Sequence, residues 1–165
     1  MDEVLWAPWR MAYILSEKTA NCIFCDHPRQ QGDAQNLILW RGATAFVMMN
    51  RYPYNNGHLM IVPYAHVASL NALESVQRNE LLAVTAHCEQ VLQNAMQPQG
   101  FNVGINLGAA AGAGIAEHLH IHIVPRWAGD TNYMTVVSEV RVIPQHLDHT
   151  YQLLAPYFRR LPQDG

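Results

Sequence analysis

Between Glu117 and Arg126 the chain alternates imidazole and aliphatic side chains: His118-Leu119-His120-Ile121-His122-Ile123-Val124-Pro125. A period of two marks an extended strand, whose successive side chains point to opposite faces. The spacing predicts a strand over His118–Val124, with His118, His120 and His122 on one face and Leu119, Ile121 and Ile123 on the other. An aliphatic face must be covered, so this strand has to belong to a sheet packed against another layer. The imidazole face gathers three groups able to act as nucleophile, proton donor or metal ligand near neutral pH. On spacing alone three readings stay open: histidines satisfied within a core, a three-histidine metal site, or catalysis.

The rest of the chain supplies partners for that strand. Leu37–Trp40 and Thr44–Met49 read as strands around an Arg41-Gly42 turn, and Leu59–Val62 as a third after Asn55-Asn56-Gly57, ending at Pro63. Leu81, Leu82, Val84, Thr85, Cys88, Val91 and Leu92 recur at helical spacing, which predicts a long helix over Ser75–Met96 closed by Pro98 and Gly100, with Cys88 as an inert core thiol. Phe101–Asn106 reads as a strand running into the Gly108–Gly114 Gly/Ala loop directly ahead of the histidines. Cys22–Gly32 has the composition of an irregular loop. Val136–Val142 reads as a further strand or irregular segment, and Leu147–Phe158 as a C-terminal helix with Pro156 in its last turn. The opening Leu5-Trp6-Ala7-Pro8-Trp9-Arg10 is aromatic and broken by proline, and its tryptophans are expected to pack on the main body. Met11–Leu15 after it is a short helix or strand. This order predicts an α+β fold in a single domain over residues 1–165, with the helices on one side of the sheet.

A net charge of -3 argues against broad adhesion to nucleic acid or anionic membranes, which needs clustered Lys and Arg. No apolar run approaches the roughly 20 residues that span a bilayer, and the acidic start through Asp2 and Glu3 is unlike a secretion signal, so a cytoplasmic protein is expected. A small polyanion can still be held locally. Asn106-Leu107-Gly108 and the run to Gly114 would bring backbone N–H groups beside the histidine strand, an arrangement suited to phosphate oxygens. Three cysteines cannot all pair, and Cys22-Ile23-Phe24-Cys25 points to metal binding or redox chemistry rather than to a disulfide framework.

Gly57-His58-Leu59-Met60-Ile61-Val62-Pro63, Asn102-Val103-Gly104-Ile105-Asn106 and, above all, His118-Leu119-His120-Ile121-His122-Ile123-Val124-Pro125-Arg126 resemble the histidine-triad (HIT) family. The likeness runs from about Cys22 to Trp127. The N-terminal Trp-Ala-Pro-Trp-Arg segment, Cys22-x-x-Cys25 and Gly129-Asp130-Thr131-Asn132 look like the bacterial diadenosine tetraphosphate phosphorylase branch. The resemblance implies a five-stranded antiparallel sheet with a long helix and a C-terminal helix, in a homodimer. It implies catalysis by His118, His120 and His122, with His120 as the nucleophile that carries a nucleoside monophosphate. A neutral imidazole can attack phosphorus at pH 7 without a separate base. Asn106 and His122 would contact phosphate oxygens, and Asn50 the ribose, although Asn50 also suits a turn. The family's Gly-Gln-(Ser/Thr)-Val stands here as Gly112-Ala113-Gly114-Ile115, so phosphate contacts from Gly112, Gly114 and Ile115 would come from backbone amides. Cys22, Cys25, His66 and His118 look like the structural zinc set of some members; no organic cofactor is implied. An adenine nucleotide substrate is implied, with inorganic phosphate as acceptor in a phosphorylase and water in a hydrolase of phosphoramidates or nucleotidyl adducts. For His58 the resemblance suggests a structural hydrogen bond.

Overall fold

The structure, a computed structural model, describes residues 22–130 and 146–160. The aromatic opening, Met11–Leu15, Thr131-Asn132 and the Val136–Val142 segment lie outside the described residues. Five strands form one antiparallel sheet: β1 (Ile38–Arg41), β2 (Ala45–Met49), β3 (Leu59–Pro63), β4 (Gly100–Ile105) and β5 (Ile121–Arg126). Their order is β1-β2-β3-β5-β4. The long connection through helix α2 (Ser75–Met96) carries the chain from β3 to the far edge, which leaves the central slot beside β3 for the histidine-bearing β5. No helix among the described residues is long and apolar enough to cross a membrane.

Side-chain alternation divides the core in two. Ala45, Val47, Met49, Leu59, Ile61, Leu119, Ile121 and Ile123 pack with Leu81, Val84, Cys88, Val91 and Leu92 of α2 and with Leu154 and Phe158 of α3 (Leu147–Phe158). Each large aliphatic side chain fully buried there contributes roughly 1.5–3 kcal/mol. The other face holds a smaller cluster of Ile38, Phe46, Met48, Met60 and Val62, covered by Phe24. Phe24 belongs to a short helix, α1 (Ile23–Asp26), continued by a 3-10 turn at His27–Arg29, so the region expected to be irregular forms a helical corner bearing both cysteines. His122 is the cross-strand partner of Met60 and therefore lies on this second face.

Both long helices keep the predicted bounds. A capping box between Glu74 and Gln77 starts α2, and Gln97, in the left-handed region at φ 50° ahead of Pro98, ends it. The histidine segment departs from expectation. Its ladder begins at Ile121 rather than His118 because Leu119 donates its N–H to Val67 O at 2.7 Å and so pairs with the loop beyond β3. The strand also runs through Pro125 to Arg126. Pro125 O accepts from Asn55 Nδ2 on the β3 side, where the β3 ladder has ended, so the missing N–H leaves no partner unpaired there. β2 starts one residue later than predicted, and β4 starts and ends one residue earlier.

Candidate functional site

His118, His120 and His122 stay on the face predicted for them, yet each meets different neighbours. His118 is fully buried and donates Nε2–H to Pro63 O at 2.8 Å, which leaves Nδ1 as a lone pair. That atom lies 3.3 Å from Cys22 Sγ, 3.6 Å from Cys25 Sγ and 3.2 Å from His66 Nδ1, while Cys25 Sγ is 3.3 Å from His66 Nδ1. All four donor atoms fall within 4.8 Å of one another. Bond lengths of about 2.0–2.3 Å in a tetrahedron require ligand separations of about 3.3–3.8 Å. The sequence-predicted four-residue set is thus assembled with the spacing and lone pairs of a closed metal site, and Pro63 O fixes the tautomer of one ligand. Burial, then the Cys22 thiol, push the Cys25 thiol up, a tendency that a dication at this point would reverse.

His120 donates Nδ1–H to the carbonyl of His118 at 2.9 Å, and its ring packs 4.9 Å from Phe24 and 4.7 Å from His122, centroid to centroid. Its lone pair is therefore on Nε2. Burial lowers its pKa, partly offset by the bond to His118 O, so the ring is neutral at pH 7. The side chain that presents the first histidine to the cysteines thus belongs to the residue whose carbonyl orients the second.

His122 receives its tautomer from further away. Tyr54 donates its backbone N–H to His58 Nδ1 at 3.0 Å, which puts the His58 proton on Nε2. His58 Nε2 lies 2.9 Å from His122 Nδ1, so His58 donates and His122 keeps its own proton on Nε2. Burial, then the neighbouring His120, hold the His122 pKa down at about 4. His122 is a neutral ring with a fixed N–H. Among the described residues the buried side-chain N and O atoms without a partner are His27 Nδ1 and Trp40 Nε1. No bond from a described group to the Nε2 atom of His120 or of His122 is seen, and the two residues are 5% and 9% exposed.

The remaining candidates surround this pair unequally. Gly104 is the cross-strand neighbour of His122, and a Cβ there would meet nothing within 4 Å, so the β4 side is open. Continuing the β4–β5 register by one residue sets Asn106 opposite His120; its Nδ2 lies 3.5 Å from Gly112 O. The Gly/Ala loop turns at Gly108 and Gly112, both at φ 83°, around a 3-10 turn at Ala109–Ala111. Gly112 donates its amide to Ala109 O. Ile115 packs its side chain on the Phe46 and Met60 cluster. Asn50 accepts from Tyr52 N–H through Oδ1 and donates its own amide to His58 O, the turn role that its sequence context also suited. His58, read from the sequence as structural, is joined directly to the triad. The signal was its place just after the turn glycine, at the start of the strand that pairs with β5.

Residues 31–129 match the sequence profile of the HIT domain. The chain is 42% identical to the AP-4-A phosphorylase of Mycobacterium tuberculosis, over 96% of this chain and 85% of that protein. The chain belongs to the HIT family. It is also 30% identical to the adenylylsulfatase HINT3 of Arabidopsis thaliana, over 67% of this chain and 58% of that protein. A zinc-bound histidine triad family protein from Mycobacterium smegmatis has the same fold, with a TM-score of 0.68 at 22% identity over 85% of this chain and 94% of that one. In HIT terms, the triad is His118, His120 and His122, joined here through the first histidine to the cysteine pair and through the third to His58.

Proposed function

We propose that this HIT protein is an enzyme that cleaves dinucleoside polyphosphates by nucleotidyl transfer, converting diadenosine tetraphosphate and phosphate to ATP and ADP. The observation that carries the reading is the pair of adjacent neutral imidazoles of His120 and His122, ring centroids 4.7 Å apart, one with a lone pair at Nε2 and the other with an N–H there. His120 Nε2 attacks the α-phosphorus of one adenosine, the P–N bond forms, the bridging P–O bond breaks, and ATP leaves with the electron pair. Phosphate then attacks the adenylylated His120, the P–N bond breaks and ADP departs. His122 Nε2–H and Asn106 Nδ2 donate to nonbridging oxygens as charge builds there, a contribution of roughly 3–4 kcal/mol per donor in comparable sites. The amides of Gly114 and Ile115 line the phosphates, and Asn50 meets the ribose. The similarity to the mycobacterial AP-4-A phosphorylase over nearly the whole chain favours phosphate as the acceptor.

Zinc is the metal we assign to Cys22, Cys25, His66 and His118, since two thiolates and two imidazoles complete its coordination with no open position. Its contribution is structural: it ties α1, the loop after β3 and the triad together. The exposed β4 edge, with Val103 54% exposed, supports pairing of two copies into a homodimer. Three free cysteines suit a reducing cytoplasm.

His120→Ala should lower turnover of diadenosine tetraphosphate by roughly 10,000-fold or more with the fold retained. Mass spectrometry of the wild-type protein under mildly basic conditions should show one adenylyl group on His120. Full activity in the variant, or no adduct, removes the mechanism. The similarity to an adenylylsulfatase supports a second reading, discharge of the same intermediate to water. ATP and ADP formed only when phosphate is added establish a phosphorylase; AMP without phosphate establishes a hydrolase.

A further inference from the structure

Asp130 stands outside the triad and its phosphate loop, in the turn that follows β5. Its carboxylate is nearly buried, with 9% of the side chain exposed. Oδ2 accepts from Arg126 Nε at 2.6 Å, from Asn55 Nδ2 at 2.8 Å and from Trp127 N–H at 3.1 Å, and Oδ1 accepts from Arg126 Nη2 at 2.7 Å. Arg126 continues to Asn102 Oδ1 at 2.8 Å, so the end of β5 is clamped to β4. Asn55 continues in the other direction. Its Nδ2 also donates to Pro125 O, its Oδ1 accepts from Asn56 N–H, and its carbonyl accepts from His58 N–H. From the opposite side Thr150 Oγ1 of α3 donates to Asn56 Oδ1 at 2.9 Å.

The bonds of Asn55 and Asn56 act on the 54–58 turn directly, the Arg126 and Trp127 bonds fix the carboxylate that holds Asn55, and that turn sets the Tyr54 N–H against His58 Nδ1. Without that donor, His58 is no longer obliged to carry its proton on Nε2, and His122 is no longer obliged to carry its proton on the nitrogen that faces the phosphates. A charged carboxylate with four acceptor contacts is costly to bury and strongly directional, so it determines where Asn55 sits. We propose that Asp130 is a positioning residue: through Asn55 it holds the turn whose amide selects the tautomers of His58 and His122. The inference rests on the assignment of His122 as the phosphate-facing donor. It also accounts for two motif segments, Asn55-Asn56 and Gly129-Asp130, that the triad chemistry leaves without a role.

The test uses Asp130→Asn and Asn55→Ala in the full chain purified without chelators. Long-range proton–nitrogen spectra of the imidazoles at neutral pH read the tautomers directly, and steady-state kinetics on diadenosine tetraphosphate with phosphate read their consequence. The wild-type protein should show single Nε2–H tautomers at His58 and His122. Both variants should show mixed tautomers there, with kcat reduced about tenfold or more and KM within about twofold, since a misplacement of this kind costs up to roughly 100-fold. If Asp130→Asn does not fold, Asn55→Ala carries the test, because it leaves the Arg126–Asp130 pair in place. Unchanged tautomer signals in a folded variant overturn the proposal, whatever happens to its melting temperature. Mixed tautomers with wild-type kcat overturn it too. Absence of turnover in the wild-type protein would remove the nucleotidyl-transfer reading instead, leaving the spectra to decide the positioning claim on their own.

Discussion

Acidification should destabilise this protein through His122, by an amount that follows from the burial of its ring. The imidazole is 9% exposed and its pKa is held at about 4, against 6.5 for a free histidine. The unfolded chain therefore takes up a proton here before the folded one does. The stabilising contribution is complete above pH 6.5, where both states are neutral, and it declines as the pH falls toward about 4. At 1.36 kcal/mol per pH unit the gap amounts to roughly 3 kcal/mol in all, of which about 2 kcal/mol is lost between about pH 7 and pH 4.5. Urea unfolding of the wild-type protein and of His122→Asn at those two pH values isolates the residue, because His118 and His120, also lowered by burial, contribute to both proteins. The wild-type protein should lose about 2 kcal/mol more than the variant. Equal losses would refute the claim that His122 is held neutral by burial, and with it the claim that it serves as an N–H donor rather than as a cation.

Gly57→Ala should cost roughly 2–4 kcal/mol in urea unfolding, since φ is 77° and the new Cβ would lie 2.7 Å from Met96 Sδ and 3.1 Å from Pro125 Cγ; a loss below 1 kcal/mol would show that the turn relaxes freely. Glu80→Ala should cost about 1–3 kcal/mol by the same measurement, because Glu80 accepts from Ala43 N–H at 3.0 Å, from Thr44 N–H at 2.8 Å and from the Thr44 hydroxyl, closing the β1–β2 turn onto α2; a change under about 0.5 kcal/mol sinks that account. Metal analysis should find about one zinc per chain in the wild-type protein and none in Cys25→Ser, whose melting temperature should fall by roughly 10 °C. A metal-free wild-type protein of unchanged stability would exclude the structural role.

The parts of the fold that follow from periodicity were legible in advance. Six positions of α2, Leu81, Val84, Thr85, Cys88, Val91 and Leu92, are buried with the period that a helix on a sheet demands, while Leu82, read with them, is exposed; Pro98 and Gly100 mark the C-terminal end. The division of His118, His120 and His122 from Leu119, Ile121 and Ile123 also survives, because one-residue alternation leaves an extended chain no other way to bury its aliphatic half. Local pattern failed where a distant group takes over a backbone bond. Leu119 pairs with Val67 O and delays the strand, and Phe24 draws a Cys/Pro-rich stretch into a helical turn by filling the space over Phe46 and Met60.

The same boundary runs through the site. The order of residues determined which side chains share the polar face of the histidine segment, since that depends only on backbone geometry one or two residues away. Tertiary structure decided what each of those equivalent imidazoles does. The sheet order brings His58 to His122, the loop beyond β3 brings His66 to His118, and a turn more than sixty residues distant chooses which nitrogen of His122 holds its proton. A tautomer is selected by the partner on the opposite nitrogen, and that partner is chosen by packing, which no local repeat in the sequence records.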